Sequence, residues 1–75
     1  MIRYAKHTVE PIGFFTKKNN KKITVRAHLT IYKEKPFADI REYFDGTPTR
    51  KGIRIDFEQW DEFMDLMSQI NEKRP

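Results

Sequence analysis

Apolar and polar residues alternate most regularly between Ile23 and Tyr32, where Ile23, Val25, Ala27, Leu29 and Ile31 fall on one side and Thr24, Arg26, His28, Thr30 and Tyr32 on the other. A period of two marks a strand with one covered face, so the first set is assigned to the core. Phe37 to Phe44 repeats the pattern, with Ala38, Ile40 and Phe44 inward and Asp39, Arg41 and Tyr43 opposite. Arg50 to Ile55 reads as a short last strand with Ile53 and Ile55 inward and Arg54 outward. Thr8 to Thr16 holds Val9, Ile12, Phe14 and Phe15 but is broken by Pro11 and Gly13, as an irregular edge strand would be. The separators are turn-like. Lys17 to Lys22 pairs two asparagines with flanking lysines best left in water, Lys33 to Pro36 is charged and ends in a residue unable to continue a central ladder, and Asp45 to Thr49 carries the glycine and proline of a tight loop.

The period then changes. Asp56 is a good N-cap, and Gln59 three residues later makes a variant of the capping box, so a helix is expected from about Phe57 to Asn71. Phe57, Trp60, Phe63, Met64, Leu66, Met67 and Ile70 cover about half of its circumference, whereas packing on a sheet takes a stripe only a little over ~100° wide. Asp61, Glu62, Asp65, Ser68, Gln69 and Glu72 occupy the other half. The surplus apolar flank is met either by a two-fold mate or by a sheet that curls around the helix. The pattern therefore predicts an α+β fold, a four-stranded antiparallel sheet followed by one C-terminal helix and dimerising through the helical side. One domain is expected over 1–75: a loose N-terminal arm over 1–8, the sheet over 9–55, the helix over 56–72 and a tail over 73–75.

Length sharpens the case for a partner. A chain of 75 residues buries only about 60% of its unfolded surface, so its core is thin. No cysteine is present to staple it, and His7 and His28 are too few and too far apart for a structural zinc site. Oligomerisation remains. No apolar run approaches the roughly 20 residues needed to span a bilayer, and the N-terminal residues lack the apolar centre of a signal peptide, so a cytoplasmic protein with no membrane partner is expected.

Charge is divided unevenly. Residues 1–55 carry 13 Lys and Arg against 5 acids and residues 56–75 carry 2 against 6, so +8 and −4 make the net +4. A basic surface on the first part suits a polyanion, or merely keeps a small protein in solution. Catalytic chemistry has little to use. The only serine, Ser68, lies on the helix among acids, Asp39 and Glu42 fall on opposite faces of one strand, and three scattered glycines make no phosphate cradle. Asp39, Arg41 and Arg26 meet more simply as a cross-strand salt bridge than as a site. A non-enzyme without cofactor or metal is expected. Its conspicuous chemistry is basic residues interleaved with aromatics at strand ends: Tyr32 with Lys33 and Lys35, Phe44 ahead of Arg50 and Lys51, and Arg26, Arg41 and Arg54 on outward positions. Cations track a phosphate backbone and flat side chains stack on unpaired bases. Tyr32 and Phe44 are also the right residues to plug the ends of a small core, and the inward parity of Phe44 keeps that reading open.

Three short stretches, Asp39-Ile40-Arg41-Glu42-Tyr43-Phe44, Arg50-Lys51-Gly52-Ile53 and Glu58-Gln59-Trp60, resemble in order and spacing the transcriptional coactivators of the positive-cofactor-four type. The resemblance covers roughly residues 23–70. It implies a four-stranded antiparallel sheet and one helix, dimerised through the helical side, with sheet surfaces and loops gripping unpaired DNA. The family's first stacking aromatic falls on Tyr32, its neighbouring lysines on Lys33 and Lys35, its strand arginine on Arg41, its second stacking aromatic on Phe44 and its strand-entry basic pair on Arg50 and Lys51. Phe44 stands where a tryptophan is usual, Glu34 where glycine often separates the two lysines, and the loop Asp45 to Thr49 lacks a lysine. The serine-rich arm of the eukaryotic members is absent, which gives the sequence the look of a stand-alone bacterial or phage version.

The expected function is that of a homodimer binding single-stranded DNA, or RNA by the same contacts, largely without regard to sequence, in transcription, replication or repair. Arg26, Tyr32, Lys33, Lys35, Arg41, Phe44, Arg50, Lys51 and Arg54 are the expected nucleic-acid contacts, and Phe57, Trp60, Phe63, Met64, Leu66, Met67 and Ile70 the dimer interface. The competing expectation is a protein-interaction module that recruits a polymerase or phage factor through the acidic helix face or the basic turns.

Overall fold

A computed structural model of the chain describes residues 7–75. Four strands, β1 (His7–Thr16), β2 (Ile23–Tyr32), β3 (Lys35–Phe44) and β4 (Thr47–Asp56), pair antiparallel in the order β1-β2-β3-β4. A 3-10 turn at Phe57–Gln59 leads into the helix α1 (Trp60–Lys73). This is the expected architecture of an antiparallel sheet and one C-terminal helix.

Several boundaries differ from expectation, each for a local reason. β1 begins at His7, so His7 and Thr8 belong to a strand; the rest of the expected arm, residues 1–6, lies outside the described residues. The expected four-residue turn at Lys33–Pro36 is a two-residue turn with both Lys33 (φ 54°) and Glu34 (φ 65°) left-handed, the backbone that matches the twist of a hairpin. Pro36 is consequently inside β3, opposite Ile31. Tyr32 and Lys35 close the turn as a hydrogen-bonded pair, and bonded and non-bonded pairs alternate. Pro36 therefore directs its missing N–H away from β2, beyond the last β4 pairing at Phe37 and Asp56, and no ladder bond is lost.

The loop expected over Asp45–Thr49 likewise shortens to Asp45 (φ 54°) and Gly46 (φ 84°), and β4 starts at Thr47. Between Lys17 and Ile23 the chain is closed by the Lys17 N–H to the Ile23 carbonyl at 2.9 Å, and the Asn20 side chain accepts from the Lys22 N–H at 3.0 Å. Lys17 is not left in water: its Nζ lies 2.9 Å from Glu42 and holds that carboxyl below its usual range. At the helix entry Asp56 accepts from the Glu58 N–H at 2.9 Å, as an N-cap should, but Gln59 makes no side-chain capping bond and the α-helix proper starts only at Trp60.

Register assigns the two faces of the sheet. Val25, Ala27, Leu29, Ala38, Ile40, Ile53 and Ile55 share the side on which Phe57 and Trp60 sit, and these two rings and Phe63 stack in series with centroids 5.1 and 5.4 Å apart. Coverage is incomplete. Ala38, 6% exposed, is the one apolar residue buried among those described, and an apolar cleft of about 300 Å³ remains between Phe57, Trp60 and the strands. Past Phe63 the helix leaves Leu66 57% and Ile70 62% exposed. The radius of gyration of 14.2 Å exceeds the roughly 11 Å expected of a compact chain this long. A single copy leaves its apolar face open.

Close approach explains Gly52, which pairs with Arg41: a Cβ there would lie 2.7 Å from the Ile40 carbonyl oxygen and 2.8 Å from the Arg41 Cα. Gly52→Ala is expected to lower stability in urea unfolding by about 1–3 kcal/mol, whereas Gly13→Ala, whose Cβ meets nothing within 4 Å, serves as the neutral control. Equal midpoints for the two variants would show that β3 and β4 separate at no cost. Glu34→Gly relieves a left-handed non-glycine residue and is expected to raise stability by about 1 kcal/mol in the same measurement.

Candidate nucleic-acid interface

The sheet face turned away from α1 carries the polar set of β2, the residues Phe37, Asp39, Arg41 and Tyr43 of β3, and Arg54 of β4. Its middle combines one unfavourable pairing, Arg26 of β2 directly opposite Arg41 of β3, with one favourable pairing, Arg54 of β4 opposite Asp39. Like charges in register repel, so each guanidinium is drawn elsewhere. Arg26 donates from Nε to the Thr24 hydroxyl at 3.0 Å and lies 4.5 Å from the centre of the Tyr43 ring, with Phe14 on its other flank at 5.9 Å. Arg41 donates from Nε to Asp39 at 3.2 Å, and its Nη1 reaches the Thr49 carbonyl at 3.0 Å. Arg54 lies 3.6 Å from the other Asp39 oxygen and 5.7 Å from the centre of the Phe37 ring. Two guanidinium groups thus share one carboxylate, and the third is held by rings. An excess of fixed positive charge beside flat apolar surface is a site for an anion that also carries planes.

The sequence anticipated Arg26, Arg41 and Arg54 together on an outward face, and the structure brings them together there. It corrects the expected salt bridge: Asp39 joins Arg41 to Arg54, and Arg26 is held by Tyr43 instead. Tyr43, His28, Phe37 and Phe14 complete the surface, with the His28 and Tyr43 rings 5.8 Å apart. None of these four was among the expected contacts. Strand parity already put Tyr43, His28 and Phe37 beside the arginines; for Phe14 the bulge in β1 hid the parity.

The remaining expected contacts lie around the rim. Tyr32, with the Lys33 Nζ 5.3 Å from its ring centre, occupies the tip of the β2–β3 hairpin. Phe44, 47% exposed, lies at the opposite end of β3 and on the helix side of the sheet, so these two aromatics share neither an end nor a face. Lys35 is committed to an ion pair with Asp56 at 3.0 Å and sits 3.9 Å from Glu58. Hydrogen bonding to Asp56 raises the lysine's pKa, while the Glu58 amide, then Lys35, lower that of Asp56. Lys35 ties the hairpin to the start of the helix. Arg50 and Lys51 are exposed on a bulge where Thr49, Arg50 and Lys51 together stand opposite Glu42. Thr49 shapes that bulge: its hydroxyl donates to the Glu42 carbonyl at 2.9 Å and accepts from the Lys51 N–H at 3.2 Å. Among the described residues no cluster of His, Cys, Asp and Glu fit to hold a metal is present, and no helix is long and apolar enough to cross a membrane.

Thr49→Val keeps the shape of the side chain and removes both bonds. The expected loss is about 1–2 kcal/mol in urea unfolding, with faster hydrogen exchange at the Lys51 amide. An unchanged midpoint and exchange rate would mean that the bulge holds without the hydroxyl.

The family described as Transcriptional Coactivator p15 (PC4) matches residues 15–66, more than half of the chain, and that span contains β2, β3, β4, the bulge and the first half of α1. No curated protein and no solved structure matches the chain. The matched family is a non-enzymatic, DNA-binding one, and membership supports a single-stranded DNA-binding, coactivator-like role. A sheet with one arginine-rich face, an apolar opposite face and a trailing helix, together with the matched span, places this chain in the Transcriptional Coactivator p15 (PC4) family.

Proposed function

We propose that the protein works as a homodimer that binds single-stranded DNA largely without regard to sequence. The observation that carries the reading is the open sheet face, where Arg41 and Arg54 share the Asp39 carboxylate, Arg26 lies over the Tyr43 ring and Arg54 lies beside the Phe37 ring. Phosphates balance the surplus charge, and unpaired bases cover the rings; duplex DNA offers the first without the second. Arg50 and Lys51 on the bulge and Lys33 at the hairpin tip extend the cationic track past both ends of the face. Tyr32 adds a ring at one end, and Phe44 one near the other end on the far side. Lys35 acts chiefly by holding the hairpin against the helix start, with its charge already met by Asp56.

Support for the homodimer comes from what one copy leaves open: Leu66, Met67 and Ile70 on the helix and Ile53 and Ile31 on the same side of the sheet. Phe57, Trp60 and Phe63 divide their surface between their own sheet and the mate. A two-fold arrangement supplies each helix with the second apolar surface it lacks and turns both arginine faces outward.

Equilibrium titration of single-stranded DNA, duplex DNA and RNA of equal length at two salt concentrations, with sedimentation of the free protein, tests both parts. Expected are a dimer, a preference for single strands over duplex, and a fall in affinity with salt at a slope of about −0.7 per neutralised phosphate. Arg50→Ala with Lys51→Ala should flatten that slope by about two phosphates without moving the melting temperature. Duplex binding as tight as single-strand binding would overturn the nucleic-acid assignment. A monomer at micromolar concentration would overturn the homodimer and free the helix patch for a different protein.

A further inference from the structure

Phe14 lies one residue before the span that matches the family, so nothing common to that span accounts for it. It is 68% exposed on an edge strand, so most of its ring surface is turned to solvent. Its direction is set by an irregularity in β1. From His7 to Pro11 the strand follows one register against β2, with His7 opposite Tyr32 and Pro11 opposite His28; after the bulge Gly13 meets Ala27 and Phe14 meets Arg26. Had the first register continued, Phe14 would stand opposite Val25 on the helix side. A one-residue shift exchanges the faces of everything that follows it, so the bulge turns Phe14 to the arginine face and sends Phe15 to the apolar one. The inserted residue, Ile12, lines the cleft beside Phe57 and Trp60.

The outcome is a row across three strands: the Phe14 ring on β1, the Arg26 guanidinium on β2 and the Tyr43 ring on β3, with the cation 5.9 Å from the first ring centre and 4.5 Å from the second. The Thr24 hydroxyl fixes Arg26 from the side, and the Lys17–Glu42 ion pair anchors the end of β1 to β3 a few residues away. A held cation between two rings, one of them open to solvent, is arranged to take a base on the ring while the guanidinium meets the adjoining phosphate.

We propose that Phe14 is a base-stacking residue and that the Phe14–Arg26–Tyr43 row is a nucleotide subsite which carries the single strand across the sheet onto β1. The proposal rests on the single-stranded DNA reading of the protein, with an unpaired base as the occupant. The subsite is specific to planar bases rather than to phosphate alone, which gives the test its two probes.

The full chain, as wild type, Phe14→Ala, Phe14→Leu and Phe15→Ala, is titrated with oligothymidylate and with an abasic strand of the same phosphate count. Wild type is expected to prefer oligothymidylate. Phe14→Ala and Phe14→Leu should both weaken oligothymidylate binding by about 5- to 150-fold, the range for loss of one stacked base, and leave abasic binding and the sedimentation profile unchanged. Phe15→Ala should leave both affinities as they are. If wild type fails to bind oligothymidylate, the single-strand reading itself fails and takes the subsite with it. If wild type binds and Phe14→Ala binds equally well, the subsite alone is overturned. Full retention of affinity by Phe14→Leu would reduce the residue to apolar cover, and equal losses on both probes, or conversion to monomer, would make it structural; each of these results overturns stacking.

Discussion

Everything in this molecule depends on the register of β3. The strand is tied to β2 and to β4 by two-residue turns, each with both central residues left-handed: Lys33 and Glu34 at one end, Asp45 and Gly46 at the other. Turns of this type allow one pairing, and in a strand of period two a slip by one residue would bring Asp39, Arg41 and Tyr43 to the helix side. The hairpins thereby hold a charged face and an apolar face on opposite sides of one layer. Three of the four left-handed positions are occupied by residues with a Cβ, so this arrangement is kept at some conformational cost.

The same layer explains why cation and ring recur together. On a sheet face without a covering element, arginines in register need partners, and acids would cancel the charge they bring. Rings hold a guanidinium without neutralising it, as Tyr43 does for Arg26 and Phe37 for Arg54. On this face Asp39 serves as counter-ion, and it is shared by Arg41 and Arg54. Positive charge thus stays available at the surface while the side chains that carry it are positioned. The acids that pair with lysines act instead as anchors, Glu42 with Lys17 for β1 and Asp56 with Lys35 for the helix start.

The opposite face shows the limit of a small chain. The ring stack of Phe57, Trp60 and Phe63 seals only the near part of the apolar surface, and the helix then runs on with Leu66 and Ile70 uncovered. One helix on a four-stranded sheet does not have the area to close it, and a single copy leaves that apolar surface open.

Much of this was written in the sequence. Alternation from Ile23 to Tyr32 and from Phe37 to Phe44 determined two strands and their faces, the change of period after Asp56 determined the helix, and the grouping of Arg26, Arg41 and Arg54 followed from parity alone, because side-chain direction in a strand is a local property. What it did not determine was whatever depends on pairing between strands. Pro36 entered β3 because the neighbouring strand had already ended, a fact of registry and not of proline. The cross-strand partner of Asp39 was Arg54 and not Arg26, since Tyr43 competes for Arg26 across the sheet. The bulges at Ile12 and at Thr49–Lys51 have no signature in hydrophobic period, yet one turns Phe14 to the arginine face and the other presents Arg50 and Lys51. Local patterning determined which residues lie on which side of a strand; only the tertiary pairing decided how the strands are offset, because the offset is set by hydrogen bonds between residues far apart in the chain.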